Sequence, residues 1–370
     1  MRILYFSPIY YDDMKQRPQQ IAECLAKKHE VFYVEPTVSL IRWLLKGGRS
    51  FAGKKKSYGR LKVIRPNGAL TFHKSVEILD ICGINNWSEL FQLRRLITYC
   101  DVIWIGYCGW YTLIRHIRHK PVVYDKMDKE DMLVASKLFQ KTLKRNNRRL
   151  CKLADAVIVT SQQLYDQVAA GREHVYLVPN AVSDRFTSES EKVTITYDAP
   201  DLKNISVFGY VGTMDSWFDL TVIEKILMLN AKYKVVLVGR NYLKEVEKLA
   251  ENPRVRYLGV KKNRELAKII QTFDVCLYNF KRIPLLDTIN PVKIYEYLSL
   301  NKPVLAVKSR ETVKFGKYVS LYENTDEIEQ IISTKLKRPF SEPQSLRCFL
   351  EENSWMARTA EINEILREVT

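Results

Sequence analysis

Two spacings of apolar residues alternate along this chain. Short β-branched and aromatic runs recur through the first half: "RILYFSP", "EVFYVEP", "LKVIRP", "DVIWIG", "PVVYDKM", "AVIVT" and "VYLVP". Longer amphipathic stretches lie between them, such as "RPQQIAECLAKK" and "EDMLVASKLFQKTLKRNNRRLCKLA". The short runs predict buried strands and the longer ones predict helices that cover them. Strands that alternate with helices predict a parallel sheet covered on both faces. Residues 181–203 are polar, lack strong periodicity and read as a linker with room for one edge strand. The alternation then restarts with "ISVFGYVG", "KVVLVG", "VRYLG", "DVCLYNF" and "PVLAV", and helices are expected near 219–231, 242–251 and 263–272. The expected class is α/β, with two doubly wound parallel-sheet, Rossmann-like domains at 1–185 and 200–350.

Composition narrows the setting. The 370 residues are 46% apolar and 27% charged, as expected of a globular chain with room for two domains. No apolar run approaches the ~18–20 residues of a membrane span, and "MRILYFSPIY" reads as a buried strand rather than a secretory leader. Seven scattered cysteines without a CxxC point to reduced thiols in a cytoplasm, away from a disulfide frame or a zinc site. His116 and His119 form an HxxH among cations, a poor metal site. The net charge of +17 is uneven: residues 1–180 hold 30 Lys+Arg against 16 Asp+Glu. That half should seek something anionic.

Ligands of doubly wound sheets sit beyond the carboxyl ends of the strands. "INPVKIYEYLSLNKPVLAV", residues 289–307, follows the carboxyl end of "DVCLYNF" through the loop "KRIPLLDT", so its helix should start on the ligand side. Asn290 is the expected N-cap and Pro291 the expected first helical residue. A spacing of three puts Lys293 and Glu296 on one face. An ammonium beside a helix N-terminus suits a diphosphate, and a carboxylate one turn on suits the paired hydroxyls of a ribose. The plainer reading is a surface pair worth ~0.2–0.5 kcal/mol. In "VFGYVGTMDSWFDL" a strand ends at Gly212 and Thr213 before a helix from about Asp219. Glycine lets backbone N–H groups approach a phosphate. The stretch is neither a Walker loop nor GxGxxG, and its plainer reading is a turn with Trp217 and Phe218 on the core. "VVYDKMDKEDM" puts Asp125 and Asp128 at the carboxyl edge of the first sheet. A carboxylate there can deprotonate an acceptor hydroxyl or cap the next helix. Arg17 follows the first strand–helix loop, and would meet an anionic acceptor or a diphosphate, or else remain a solvated helix-start arginine.

These segments together resemble the GT-B glycosyltransferases, most of all the family 4-like bacterial group that builds capsule, O-antigen and teichuronic-acid-type polysaccharides. "GYVGTMDSWFD", "VRYLG", "FDVCLYNF" and "NPVKIYEYLSLNKPVLA" carry the likeness in the second half. "RPQQIAECLAKKHEVFYVEP", "VVYDKMDKEDM" and "VYLVPNAV" carry it in the first, so it runs over about residues 1–310. The resemblance implies two domains facing a cleft and a C-terminal helix, 351–370, that returns to the first domain. It implies a nucleotide-sugar donor on the second domain. Lys293 would meet its diphosphate and Glu296 its ribose, Gly212 and Thr213 would line the phosphate pocket, Asn290 would belong to the donor site, and backbone around Tyr257–Gly259 would hold the base. A related inverting glucuronosyltransferase type places its base where Asp128 stands. The chain departs from the pattern at Thr288, beside Asp287, where many retaining members carry a second acidic residue, and at Asn301, where a glycine is usual.

The expected function is transfer of a sugar, most simply from a UDP-sugar, to a hydroxyl of a lipid-linked or glycan acceptor, with no cofactor or metal required. A nucleotide-sugar epimerase of the same fold is the alternative within the fold. A nucleic-acid-binding protein is the alternative from charge, although no helicase or RNA-binding motif is present and no nucleic-acid partner is expected. Residues 39–62 join Leu40, Ile41, Trp43, Leu44 and Leu45 to Arg42, Lys46, Arg49 and Lys54–Lys56. That mixture predicts peripheral attachment to an anionic membrane surface on the cytoplasmic side.

Overall fold

The seven apolar runs of the first half all become strands, with short additions. The computed structural model describes residues 1–13, 15–39, 56–68, 86–117, 119–127, 137–182, 205–336 and 343–370. These divide into two units, Met1–Pro179 with Arg358–Thr370, and Asn180–Ala357. The first unit holds β1 (Arg2–Phe6), β2 (Glu30–Val34), β3 (Val38–Ser39), β4 (Lys56–Tyr58), β5 (Leu61–Ile64), β6 (Asn67–Gly68), β7 (Val102–Ile105), β8 (Val122–Lys126), β9 (Ala156–Val159) and β10 (Val175–Leu177). Eight of them form one sheet in the order β10-β9-β8-β7-β1-β2-β5-β4, while β3 and β6 pair separately. Every ladder of the eight is parallel except β4 on β5. That hairpin turns at Gly59, whose φ of 64° suits glycine. It has too few apolar residues to be read as a strand beforehand.

The helices of this unit are α1 (Arg17–Ala26), α2 (Asn86–Tyr99), α3 (Tyr111–Ile114), α4 (Lys137–Leu153) and α5 (Gln162–Ala169). Helix α1 opens with Pro18 in its first turn, and the Gln19 side chain accepts the Gln16 N–H at 2.9 Å, one arm of a capping box. It buries Ile21, Ala22 and Leu25. Leu4, Phe6, Val34, Ile103, Ile105, Tyr124 and Val157 join one core, where a fully buried side chain of this size is worth roughly 1.5–3 kcal/mol. The strand order reverses between β1 and β7, so ligands of this unit are expected at the carboxyl ends there.

The second unit holds β11 (Val207–Val211), β12 (Lys234–Val238), β13 (Val255–Tyr257), β14 (Val275–Tyr278), β15 (Val304–Val307) and β16 (Ser320–Tyr322). They form an all-parallel sheet, β13-β12-β11-β14-β15-β16. Its helices are α6 (Leu220–Leu229), α7 (Lys244–Leu249), α8 (Asn263–Gln271), α9 (Val292–Ser299), α10 (Glu327–Gln330), α11 (Pro343–Glu352) and α12 (Trp355–Val369), the last of which continues into the first unit from Arg358. Strand β16 spans three residues and has no apolar run to announce it. The order reverses between β11 and β14.

The boundaries differ from the sequence reading. Residues 183–204, which hold all but the first two positions of the linker expected at 181–203, lie outside the described residues. The second unit begins at Asn180, because the Asn180 N–H donates to Asn290 Oδ1 at 3.0 Å. Residues 351–357 stay with the second unit: the Tyr295 hydroxyl donates to Asn353, and Phe349 packs on Tyr295 and Phe315. From Arg358 onward α12 belongs to the first unit, where Asn363 Oδ1 lies 2.7 Å from His29 Nε2 and the Tyr176 hydroxyl donates to Glu368.

Candidate functional site

The second unit brings three glycine-bearing turns together at the carboxyl ends of β11, β12 and β13. The Gly212 N–H donates to Val238 O, and the Gly239 N–H donates to Gly259 O, both at 2.9 Å. Gly239 has a φ of 134°, and a Cβ there would lie 1.9 Å from the carbonyl oxygen of Gly212. Only glycine permits this approach of backbone to backbone. Gly259 has a φ of 66°, with open space where its Cβ would be. The Tyr257 hydroxyl donates to Gly239 O at 2.9 Å, so this side chain braces the middle turn. The Tyr210 hydroxyl braces the first by donating to Thr213 O, and Thr213 itself is exposed.

The chain after β14 supplies the fourth wall. Helix α9 starts at Val292, with Pro291 in the N-cap position and no side-chain cap. The expected Asn290 cap is therefore corrected. The Asn290 side chain is buried and turned away, accepting from the Asn180 N–H and donating to Glu311 Oε2 at 2.9 Å. Its role is to hold the loop into α9, and its amide is committed to protein partners. Glu311 is itself fully buried and takes a second partner, the Lys314 ammonium.

Lys293 and Glu296 share a face of α9, as their spacing requires. Lys293 Nζ donates to Glu296 Oε2 at 2.6 Å, with the carboxylate the more buried of the two. A lysine ammonium has three N–H donors, so two remain for an anionic ligand. The helix is anchored by the next residue. Tyr297 is fully buried, and its hydroxyl accepts the Val211 N–H at 3.0 Å, one residue before Gly212. Burial pushes its phenol well above the usual range, so it stays a neutral hydroxyl. The sequence reading missed Tyr297 because a tyrosine in an apolar stripe looks like core. It missed Glu311 and Asn180 because their partners are distant in the chain. Asn279, at the end of β14, was missed too: its amide donates to Asp219 O at 2.8 Å at the start of α6, and its buried Oδ1 has no partner.

The two departures from the expected pattern have local causes. The Thr288 hydroxyl is buried and donates to Leu285 O at 2.7 Å, while Asp287 accepts the Arg310 N–H. Asn301 has a φ of 57°. Asparagine is among the few side chains that tolerate this left-handed backbone, which explains its standing where glycine is usual.

In the first unit Arg17 and Asp125 find each other. Asp125 has no solvent exposure and Arg17 has 6%. Arg17 Nε donates to both carboxylate oxygens at 3.1 Å, Nη2 donates to Oδ1 at 2.9 Å, and Nη1 reaches Pro179 O at 3.1 Å. Two expectations are corrected here. Arg17 is not a solvated helix-start residue, and its guanidinium is occupied by protein. Asp125 is a buried ion-pair partner, and a carboxylate so enclosed is not poised to take a proton from an acceptor. Asp128 lies outside the described residues, two positions past the end of β8. Residues 40–55, the centre of the expected membrane patch, lie outside them as well, and Lys56 at its edge pairs with Asp12.

The remaining candidates are occupied otherwise. His116 Nε2 accepts from Arg115 Nε at 3.1 Å. Burial pushes the Cys100 thiol up to about 12, away from nucleophilic use. No helix among the described residues is long and apolar enough to cross a membrane.

No family model matches the chain. It is 24% identical over 344 residues to a Bacillus subtilis (strain 168) protein provisionally named a teichuronic acid biosynthesis glycosyltransferase, TuaH, covering 85% of this chain and 82% of that one. The crystal structure of Anabaena HepE in complex with UDP superposes with a TM-score of 0.65 and 17% identity, over all of both chains. Sucrose-phosphate synthase from Thermosynechococcus elongatus superposes with a TM-score of 0.72 and 14% identity, over 99% of this chain and 98% of that one.

Proposed function

We propose that this chain, which has the GT-B fold of those structures, is a glycosyltransferase that moves a sugar from a UDP-sugar to a hydroxyl acceptor in cell-surface polysaccharide synthesis. One observation carries the reading. Three glycine turns lie at the carboxyl ends of β11, β12 and β13, and the helix that carries Lys293 and Glu296 is tied to β11 beside the strand reversal of the second unit, where a doubly wound sheet binds ligands. HepE has been solved with UDP and with UDP-glucose, which supports the choice of nucleotide. The relative's name, with its glycosyltransferase and its polysaccharide, supports the class of reaction.

In this reading the diphosphate lies against the Gly212–Thr213 turn and the start of α9. The two free Lys293 donors and the N-terminus of α9 stabilise the charge that develops on the leaving UDP, so no metal is required. Glu296 accepts from the ribose hydroxyls, and the Tyr257–Gly259 backbone borders the base. Asp128 takes the proton from the acceptor hydroxyl. The acceptor is lipid-linked, and residues 39–62 with the basic first half hold the enzyme against the anionic cytoplasmic leaflet.

Calorimetry with UDP tests the donor site. Lys293→Ala should weaken binding at least tenfold, because a charge-assisted contact is worth about 1.5–3 kcal/mol, while the protein stays folded at the assay temperature. Equal UDP affinity in the two proteins removes Lys293 from the site. Asp128→Asn should lower kcat on the order of 10²–10⁴-fold with little change in UDP affinity. Near-normal turnover shows that Asp128 is not the base.

A further inference from the structure

The second unit carries a trough of ≈ 760 Å³ at the free edge of its sheet, between β13 and α8. Arg256, Lys261, Arg264 and Lys268 line it, over a floor that includes Leu258 and Ile269. None of these four cations pairs with another described residue, and three of them are exposed. Glu265, the acidic member of the lining, is already engaged: its carboxylate accepts the Lys262 N–H at 3.0 Å in a capping box.

The arrangement is linear. Arg264 and Lys268 stand four residues apart on one face of α8, a spacing of about 5–6 Å between Cβ atoms. Arg256 faces them from the edge strand, and Lys261 stands at the upper end, two residues past Gly259. The trough thus starts beside the third glycine turn and runs down the sheet edge. Four unneutralised cations held together repel one another and favour a ligand that brings negative charge at intervals along its length.

Three anionic partners could be considered, and the lining separates them. A bilayer presents a plane, and the cations here line a concave trough. A single nucleic-acid strand is bound by stacking its bases on aromatic side chains, and no aromatic residue lines this trough. An acidic glycan needs only cations for its carboxylates and aliphatic surface beneath its rings, and both are present. We propose that the trough binds a strand of acidic polysaccharide. The proposal rests on the reading of the chain as a polysaccharide-building enzyme, and gives its acceptor or product an acidic class and a place to dock.

The test uses the full chain and fluorescently labelled oligogalacturonate, with anisotropy followed over a range of salt. Neutral dextran, single-stranded oligo(dT) and phosphatidylglycerol vesicles serve as parallel probes. The variant Arg256→Gln/Arg264→Gln/Lys268→Gln changes exposed side chains only, and its unfolding midpoint is checked against wild type. Oligogalacturonate should bind and dextran should not. The variant should bind oligogalacturonate at least tenfold more weakly. Its slope of log affinity against log salt should be smaller by about two, the value for three lost contacts on a single-stranded polyanion. UDP affinity should be the same in both proteins. Equal oligogalacturonate binding by variant and wild type overturns the proposal, as does loss of oligo(dT) or vesicle binding in the variant with no oligogalacturonate binding in either. Failure of wild type to bind UDP, with the oligogalacturonate result as expected, overturns the donor assignment instead and leaves the trough in place.

Discussion

Replacing Arg17 by methionine should unfold the first unit more readily than any surface change, and the size of the effect follows from the geometry. The guanidinium makes three contacts of 2.9–3.1 Å to Asp125, and the carboxylate has no exposure to water. Arg17→Met leaves that charge enclosed without its partner, which costs about 3–5 kcal/mol. For a unit of this size each kcal/mol moves the midpoint by about 2–4 °C, so the expected fall is roughly 6–20 °C. Asp125→Leu takes the carboxylate from the Arg17 guanidinium and should also destabilise the unit. The double variant removes both charges, but still leaves Pro179 O without the N–H that Nη1 provided. Pro179 is half-buried, so losing that hydrogen bond costs about 0.5–1.5 kcal/mol. The double should therefore be more stable than either single variant.

Urea unfolding of the four proteins, followed by circular dichroism, measures this cycle. A loss below about 1 kcal/mol for Arg17→Met, the scale of an exposed pair, would refute the claim that the pair is sealed from solvent. A double variant as unstable as the sum of the singles would refute the coupling. The same set separates structure from catalysis. If Asp125 only supports the fold, the double variant, assayed below its midpoint, turns over substrate at a rate near wild type. A loss of 10²-fold or more in that folded protein would return Asp125 to the list of bases.

Two smaller perturbations probe the other elements. Gly239→Ala places a Cβ 1.9 Å from Gly212 O at a φ of 134°; about 1–3 kcal/mol of backbone strain adds to that clash, and a calorimetric titration should show weakened UDP binding, whereas unchanged binding and stability would mean that the turns move apart freely. His29 is held below its ordinary value of 6.5, first by burial and then by the charges of the Met1 ammonium, Lys28 and Arg367, against the opposing hydrogen bond with Asn363. The unfolded chain therefore takes up the proton first as pH falls, so this contribution to stability is complete above 6.5 and is lost as pH drops through the folded value. The hydrogen-exchange protection factors of residues 358–370, taken against the intrinsic rate at each pH, should fall below pH 6.5, and His29→Gln should flatten that dependence; equal pH dependence in the two proteins would refute it.

The strands were legible because each is a short, nearly continuous apolar run, and burial on both faces demands just that pattern. β4 and β16 were not, since three residues with polar members carry no period. The shared face of Lys293 and Glu296 on α9 was also legible, since helical spacing is a local fact. Partners distant in sequence were not. Arg17 and Asp125 lie 108 residues apart, and each alone looks like a surface charge at a helix start or a strand end. Asn290 shows the converse error. An asparagine before a proline is a good N-cap by local rules, but Asn180 and Glu311 compete for its amide and win, and the helix begins without a cap.

The candidate donor site is therefore built in two layers with different tolerances. The turns at Gly212, Gly239 and Gly259 are bonded to one another and to their strands, so side chains there are constrained by what must be absent rather than by what is present. Around them Tyr210, Tyr257 and Tyr297 each give a hydroxyl to a backbone group of a turn or its strand. A tyrosine serves because its ring fills core space while its hydroxyl reaches a polar backbone group at the strand end. Loss of one hydroxyl by Tyr297→Phe leaves the Val211 N–H unsatisfied, an effect on α9 placement before any effect on chemistry. Lys293 and Glu296 sit on the helix so placed, which makes their position, and not only their charge, a property of the buried layer beneath them.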